Sequence, residues 1–596
     1  MQTNAPFHSK RSFHPLQLGL SIALGIGSVF MGSAWAKTPG AVSAVPVATQ
    51  QVVAPKGAVV ASGHQLATNA GIQMLRMGGN AFDAAVAVSS TLSVVEPISS
   101  GIGGGGFFLL HDARTGKDVF LDARETSPES ATPEQFLDAQ GNLDINKSQN
   151  GPWSAGIPGL PAALVHLAER HGRLPLNVSL APAIHIARQG FPLYARMVKG
   201  YEERKDIMDR FPASKALMWQ DGDAPEVGEL FKQPDLARTL ERLAAGGYDG
   251  FYKGETAQLL LKAVADEGGR WTPQELGSYA VKFREPLRFN YRNWSVTTAP
   301  PPSSGGIAMQ EILQTIDGGW NLNAMSRVEQ VHLLTEAMRR AYRDRTIYLG
   351  DPDFVKVPMA RLQSKEYAAG LRATIHPQKA TPSDLLIGQP APLEDDETTH
   401  FSIIDSEGNR VAATQTVNLL YGSGMVAPGT GVLLNDEMDD FALKPGTPNA
   451  FGVMGFEANA PKPGKRMLSS MSPTFIESPT DVVALGAPGG SRIITEVLLG
   501  IIGYDQGLSS QQVAALPRFH HQWLPDTIYA EHNTFSPQEI ADLEKMGHKV
   551  TVQKTWGNLQ TVRYRKTDGT VDGGTDPRNP VGSVQTLRRA VIKVAR

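Results

Sequence analysis

One hydroxyl residue stands where a loop meets a strand: Thr398, in E-T-T-H-F-S. The preceding stretch, PQKATPSDLLIGQPAPLEDDE (377–397), is polar, proline-bearing and finally acidic, which predicts an exposed loop. The following stretch turns β-like: FSII (401–404), the turn residues Ser406-Glu407-Gly408-Asn409, then RVAATQT (410–416) read as a hairpin. Cutting the Glu397–Thr398 bond would give Thr398 a free α-amine. Such an amine, with an ordinary pKa near 7.7–8.0, can act as base for the residue's own hydroxyl. One residue then supplies both nucleophile and base. No G-x-S-x-G elbow and no H-E-x-x-H motif is present. His400 could serve as a general base, but the freed amine fills that role, so His400 reads as structural. His520 and His521 are adjacent and cannot easily face one metal together. No metal or cofactor is expected. The chain has no cysteine, which rules out a cysteine nucleophile, thiolate zinc sites, iron–sulfur clusters and disulfides.

Other residues invite two readings each. Gly101, Gly103 and Gly106 match G-x-G-x-x-G, but a β-type run (Phe107 to Leu110) follows where a nucleotide site needs a helix. Backbone packed closely in a core or beside a ligand is the better account. Arg124 ends the strand-like VFLDARETSP (119–128). It is either an ion-paired surface residue or a planar fork that clamps a carboxylate. Ser469 and Ser470 could cap a strand, Gly489 and Gly490 could form a turn, and Asp440 could cap a helix.

The elements that would hold these residues are legible in outline. Residues 63–87 have a helical pattern punctuated by Gly78-Gly79-Asn80, and 155–350 read as mainly helical, with breaks at GIPGLP and APPPSSGG. Further strands are predicted at 431–435, 474–477 and 482–486, with a helix after Gly490. The composition is globular: 596 residues, 41% hydrophobic, 19% charged, net charge −3. That near-neutral balance argues against nucleic acid as the main partner. Residues 1–36 read as a secretory signal peptide: Lys10 and Arg11, an apolar run from Leu16 to Phe30, and Ala34-Trp35-Ala36 before Lys37. The run of about 15 residues is short for a membrane span, which needs about 20, and no later segment is apolar enough. Removing those residues leaves 54 bases against 59 acids. A soluble periplasmic or secreted protein is expected.

TTHFSIIDSEGNRVAATQTVNLLYG (398–422) resembles the signature of the γ-glutamyltransferases, members of the N-terminal nucleophile hydrolase superfamily. The resemblance runs through GGNAFDAAVA (78–87), EPISSGIGGGGF (96–107), LDARETSP (121–128), PPPSSGG (300–306), LLNDEMDDF (433–441), RMLSSMSPT (466–474), GAPGGSRI (486–493), PRFHHQWLPD (517–526) and DPRNP (576–580). It implies an α+β fold with two stacked antiparallel sheets between helix layers, αββα. It also implies a precursor that cleaves itself before Thr398. The products would be a large subunit, 37–397, and a small one, 398–596, which stay together as a heterodimer. The expected reaction breaks the γ-glutamyl bond of glutathione through a γ-glutamyl-threonine ester. The group then passes to water or to an amino acid or dipeptide.

By the same resemblance, Arg124, Ser469 and Ser470 bind the donor's α-carboxylate. Asp440 holds its α-ammonium, with Asn418 and Glu437 beside it. Gly489 and Gly490 supply oxyanion N–H groups, and Thr416 contacts the nucleophile. Two departures stand out. Position 437 is Glu where some bacterial members carry Gln, and an acid still accepts from an ammonium. Residues 445–456 resemble a substrate lid, with Phe451 where several members place Tyr. Phe lacks the hydroxyl that could bond Asn418, which touches lid closure and the hydrolysis-to-transfer ratio. Two other functions compete: a glutaryl-type β-lactam acylase of the same superfamily, and an unprocessed, non-catalytic binding protein.

Overall fold

A computed structural model of the protein describes residues 52–219, 222, 224–383 and 398–588. The segment 1–36, Glu397 and most of the predicted loop before Thr398 lie outside the described residues.

Two antiparallel sheets carry the architecture. The first has seven strands in the order Ser583–Arg588, Gly57–Ser62, Thr399–Ile404, Arg410–Thr416, Gly105–Asp112, Lys117–Ala123 and Lys282–Arg284. The second has six: Val571–Thr575, Gln560–Arg565, Asp481–Gly486, Thr474–Glu477, Trp294–Thr298 and Leu287–Tyr291. Successive side chains of a strand point to opposite faces, and the two cores follow that alternation. Val60, Phe108, Leu110, Phe401 and Ile403 join a core shared with the helices Gln65–Arg76, Ala81–Val95 and Leu160–Arg170. Val59, Ala61, Phe107, Leu109 and Ala412 face the other way, into a core shared with Val296, Ile476, Val483 and Val562 of the second sheet. That core continues to the helices Gly305–Asp317, Arg327–Tyr348 and Ile493–Asp505. The layers are therefore helix, sheet, sheet, helix, the αββα arrangement that the resemblance implied. Among the described residues no helix is long and apolar enough to cross a membrane.

The hairpin after Thr398 forms as expected, with Thr399–Ile404 and Arg410–Thr416 in antiparallel register. Asp405 organises its turn: the carboxylate accepts from the N–H groups of Glu407 (2.9 Å) and Asn409 (3.0 Å), and from Ala81 N–H (2.9 Å) at the start of a helix. Two readings need correction. The mainly helical stretch 155–350 contains five strands: a two-residue pair, Phe191–Pro192 with Leu230–Phe231, and, in the two main sheets, Lys282–Arg284, Leu287–Tyr291 and Trp294–Thr298. The signal of the last two, the alternation in LRFNYRNWSVTT, is short and flanked by strong helices. The strand expected at 431–435 shrinks to Val432–Leu433, paired with Val426–Ala427.

Candidate active site

Thr398 is buried and directly precedes the strand Thr399–Ile404, near the middle of the first sheet. Its hydroxyl donates to Thr416 Oγ1 at 3.2 Å. Thr416 closes the neighbouring strand, and its hydroxyl oxygen also accepts the Asn418 N–H at 2.9 Å. Thr398 stands at φ 135, a region that β-branched residues avoid; such backbone costs on the order of 1–3 kcal/mol. Asn418 also takes a positive φ, 80, and its side chain donates to Asp436 O at 3.1 Å.

A cleft opens beside Thr398. Its wall includes Arg124, Thr416, Asn418, Glu437, Asp440, Ser469, Ser470 and Gly490. Gly489 is not among the lining residues; it stands at φ 127 just before the short turn Gly490–Arg492. The free space is about 20 Å³, room for a water and not for an amino-acid-sized ligand.

Arg124 follows the strand Lys117–Ala123 and is fixed by its N–H to Asp122 Oδ1 (3.0 Å). Asp440 and Glu437 come from one short turn, Glu437–Asp440. Asn435 sets that turn: its Oδ1 accepts the N–H groups of Glu437 (3.1 Å) and Gly156 (2.9 Å), and its Nδ2 donates to Gly103 O (2.7 Å). The glycine-rich run thus packs backbone to backbone. A Cβ on Gly104 would stand 2.0 Å from Thr416 O, so the run positions the Thr416 strand and cradles no phosphate.

Arg124 is buried and faces three carboxylates. Its Nη2 bonds Asp440, its Nη1 lies 2.6 Å from Glu437 Oε2 without hydrogen-bond alignment, and Glu125 stands at 3.6 Å. Burial opposes the guanidinium charge, but Glu437, Asp440 and Glu125 hold its pKa above the ordinary value. Burial raises all three acids, Glu125 to about 7, against the pull of Arg124. A second guanidinium, that of Arg345, lines the same cleft and also acts on Asp440. The Arg124–Asp440 pair also matches a zwitterion: opened, it offers one anion site and one cation site.

The segment 445–456 contributes Asn449, Phe451 and Val453 to the wall. It is a small turned-back segment, with Gly446 N–H bonding Gly455 O (2.9 Å) and Asn449 N–H bonding Val453 O (3.1 Å). Asn449 Nδ2 donates to Asp440 Oδ1 (3.1 Å) and Ala450 N–H to Asp439 Oδ2 (2.9 Å). The Phe451 ring lies over Gly490, where a Cβ would meet it at 2.4 Å, and Gln522 Nε2 donates to Phe451 O at 3.1 Å. A ring contact over Gly490 and the Gln522 bond to Phe451 O therefore seat the segment without a Tyr hydroxyl.

His400 lies between the sheets, outside the cleft lining. Its ring nitrogens bond Thr414 Oγ1 (2.8 Å) and Ser402 Oγ (3.0 Å), and burial lowers its pKa to about 3. His520 bonds Thr495 and Gln522, and His521 bonds Asp526, so the pair is divided among separate partners. Sequence reasoning missed Arg345, Asn449 and Glu125. Arg345 lies in the run RRAYRDR, where several arginines on one helix look alike. Asn449 had no mark beyond its place in the lid-like stretch.

A sequence-family model described as gamma-glutamyltranspeptidase matches residues 67–586. The glutathione hydrolase proenzyme of Escherichia coli K12 is 40% identical over 565 residues, covering 94% of this chain and 96% of that protein. Among solved structures, a cephalosporin acylase from Bacillus halodurans superposes with a TM-score of 0.78 at 29% identity, covering 92% of this chain and 99% of that one. The gamma-glutamyltranspeptidase of Helicobacter pylori superposes with a TM-score of 0.52 at 38% identity, covering 54% of this chain and 92% of that one. Together with the layered fold and the threonine at the head of a central strand, these matches make the chain a member of the γ-glutamyltranspeptidase family.

Proposed function

We propose that the protein is an exported, self-processing γ-glutamyltransferase that uses Thr398 both to cut its own chain and to turn over γ-glutamyl donors such as glutathione. One observation carries the reading: the Thr398 hydroxyl shares a cleft with a buried cation and anion, Arg124 and Asp440, which bond each other and, once parted, match the two charges of an α-amino acid.

In the uncut chain Thr398 Oγ attacks the carbonyl carbon of Glu397. The C–N bond breaks, the amine is freed, and an ester remains. Water hydrolyses that ester, restoring the hydroxyl and leaving a carboxylate on Glu397. The φ of 135 at Thr398 supports this step, because release of the backbone there relieves strain. Removal of 1–36 and cleavage before Thr398 leave 37–397 and 398–596.

In turnover the freed amine takes the hydroxyl proton, and Oγ attacks the donor's γ-carbonyl. The N–H groups of Gly489 and Gly490 receive the oxyanion; such a donor is worth about 2.7–4 kcal/mol. The protonated Thr398 amine returns the proton to the leaving amine, cysteinylglycine for glutathione. Water, or the amine of an amino acid or dipeptide, then takes the γ-glutamyl group from the ester. The donor's α-carboxylate enters between Arg124 and the two serines, Ser469 and Ser470. Its α-ammonium displaces Arg124 from Asp440 and Glu437, beside Asn418. The internal pairs of Arg124 with Asp440 and Glu437 are thereby exchanged for pairs across the donor.

A β-lactam acylase reading is favoured by the acylase superposition but opposed by Asp440 and Glu437, which have no ammonium to meet in a glutaryl chain. Thr398→Ala is expected to abolish both cleavage and turnover, since one hydroxyl serves both. Intact mass, N-terminal sequencing and a γ-glutamyl anilide assay check this. Two subunits in the variant, or a single uncut wild-type chain, would overturn the reading; preference for a glutaryl anilide would select the acylase.

A further inference from the structure

Ser469 and Ser470 are backed by an arginine that the reading above leaves without a task. Arg345 projects from the helix Arg327–Tyr348, is 7% exposed, and lines the cleft of Thr398. Its Nη2 donates to Ser470 Oγ at 3.2 Å and its Nε to Ser304 Oγ at 3.0 Å. Ser304 Oγ in turn donates to Ser469 O at 2.7 Å, beside the Ser304 N–H bond to the same oxygen at 2.8 Å. Ser469 Oγ accepts the Met471 N–H at 3.1 Å.

A serine hydroxyl has one proton and two lone pairs. An arginine can only donate, so Ser470 Oγ is held as acceptor on that side, and its single proton is turned to another partner. Met471 N–H does the same for Ser469. Both hydroxyls thus keep their single proton for a further partner, which suits them to an incoming carboxylate. One arginine touches both residues in different ways, the Ser470 hydroxyl directly and the Ser469 backbone carbonyl through Ser304.

We propose that Arg345 is a positioning residue for donor selection: it turns the Ser470 proton toward the donor's α-carboxylate and, through Ser304, holds the Ser469 backbone beside it. This rests on the γ-glutamyltransferase reading and extends it to a residue outside the donor's direct contacts. Arg124 supplies the charge; Arg345 supplies the direction of the Ser470 proton, beside the Ser469 proton set by the Met471 N–H. The serine pair therefore distinguishes carboxylate-bearing donors from otherwise identical ones.

The experiment compares two anilides on purified, processed enzyme: γ-glutamyl and 4-aminobutyryl, the second keeping the amine and lacking the α-carboxylate. Arg345→Met is expected to raise KM for the γ-glutamyl anilide about ten- to a hundredfold, the range for a charged hydrogen bond. The value of kcat should stay within about threefold, and KM for the aminobutyryl anilide should stay unchanged. Adding Arg345→Met to Ser470→Ala should cost less than the product of the two single effects, because the arginine acts partly through that serine. Arg345→Lys should recover part of the loss. If Arg345→Met does not accumulate as two subunits, the two anilides are compared in Arg345→Lys, where a KM rise confined to the γ-glutamyl anilide supports the role. Equal losses for both anilides, or fully multiplicative effects with Ser470→Ala, would overturn it. A wild type inactive on the γ-glutamyl anilide would instead remove the underlying function.

Discussion

Two buried arginines of this molecule have carboxylate neighbours and opposite characters. Arg518 is saturated: its guanidinium bonds Trp556 O, Asp576 and Ala514 O (3.4 Å), with Glu496 at 3.4 Å. Every group around it belongs to the interior. Arg124 is also almost fully buried, yet its bonds are uneven: one to Asp440, an unaligned contact with Glu437, and a long one to Met467 O (3.5 Å). Two of its partners line the cleft. A buried ion pair by itself marks neither site nor scaffold. Spare bonding capacity facing a cavity marks the site.

Substitution can break this distinction. The largest effect should come from Arg518→Met, which removes a buried guanidinium from Asp576, Glu496 and two backbone carbonyls and should cost about 3–5 kcal/mol of stability. Urea unfolding would measure the loss, while kcat/KM per folded molecule should hold. A drop in kcat/KM without a loss of stability would make Arg518 part of the site. Arg124→Met should do the reverse. It should lower kcat/KM for a γ-glutamyl anilide by about 1.5–3 kcal/mol, roughly 10- to 150-fold, chiefly through KM. Its stability loss should be the smaller, because Asp440 borders the cleft and can take up a proton. Unchanged donor KM would contradict the contrast.

A subtler effect lies in pH. Buried His400 has a folded pKa of about 3 against 6.5 ordinarily. The unfolded chain therefore gains a proton first, and stability falls as pH drops below 6.5. Glu125 at the site has the opposite sign: its folded pKa of about 7 exceeds 4.5, so stability falls as pH rises from 4.5 to 7. Each contributes at most about 1.4 kcal/mol per pH unit. Between pH 5 and 6.5, His400→Gln should make the rise of stability with pH shallower and Glu125→Gln should make it steeper. Denaturation midpoints across that range test the sign, and shifts in the same direction would refute it.

The sequence carried much of this, unevenly. The hairpin after Thr398 was legible because its alternation and S-E-G-N turn agree with each other. Arg124 and Asp440 were nameable through the family pattern alone; no spacing rule joins residues 316 apart in sequence. Arg345 was illegible, since nothing in RRAYRDR says which arginine turns toward Ser470. The short strands Leu287–Tyr291 and Trp294–Thr298 were masked by neighbouring helical periodicity. His400 could be read as structural from chemistry, and its bonds to Thr414 and Ser402 lie away from the cleft.

The strand order has a consequence for manufacture. In the first sheet Gly57–Ser62 runs between Ser583–Arg588 and Thr399–Ile404, and in the second Trp294–Thr298 is bonded to Thr474–Glu477. Segments from before and after position 398 are woven through both sheets like warp and weft. Neither product of a cut there would own a complete sheet. Synthesised apart, the piece before the cut would lack three of the seven strands of one sheet and four of the six of the other, and the piece after it would lack the rest.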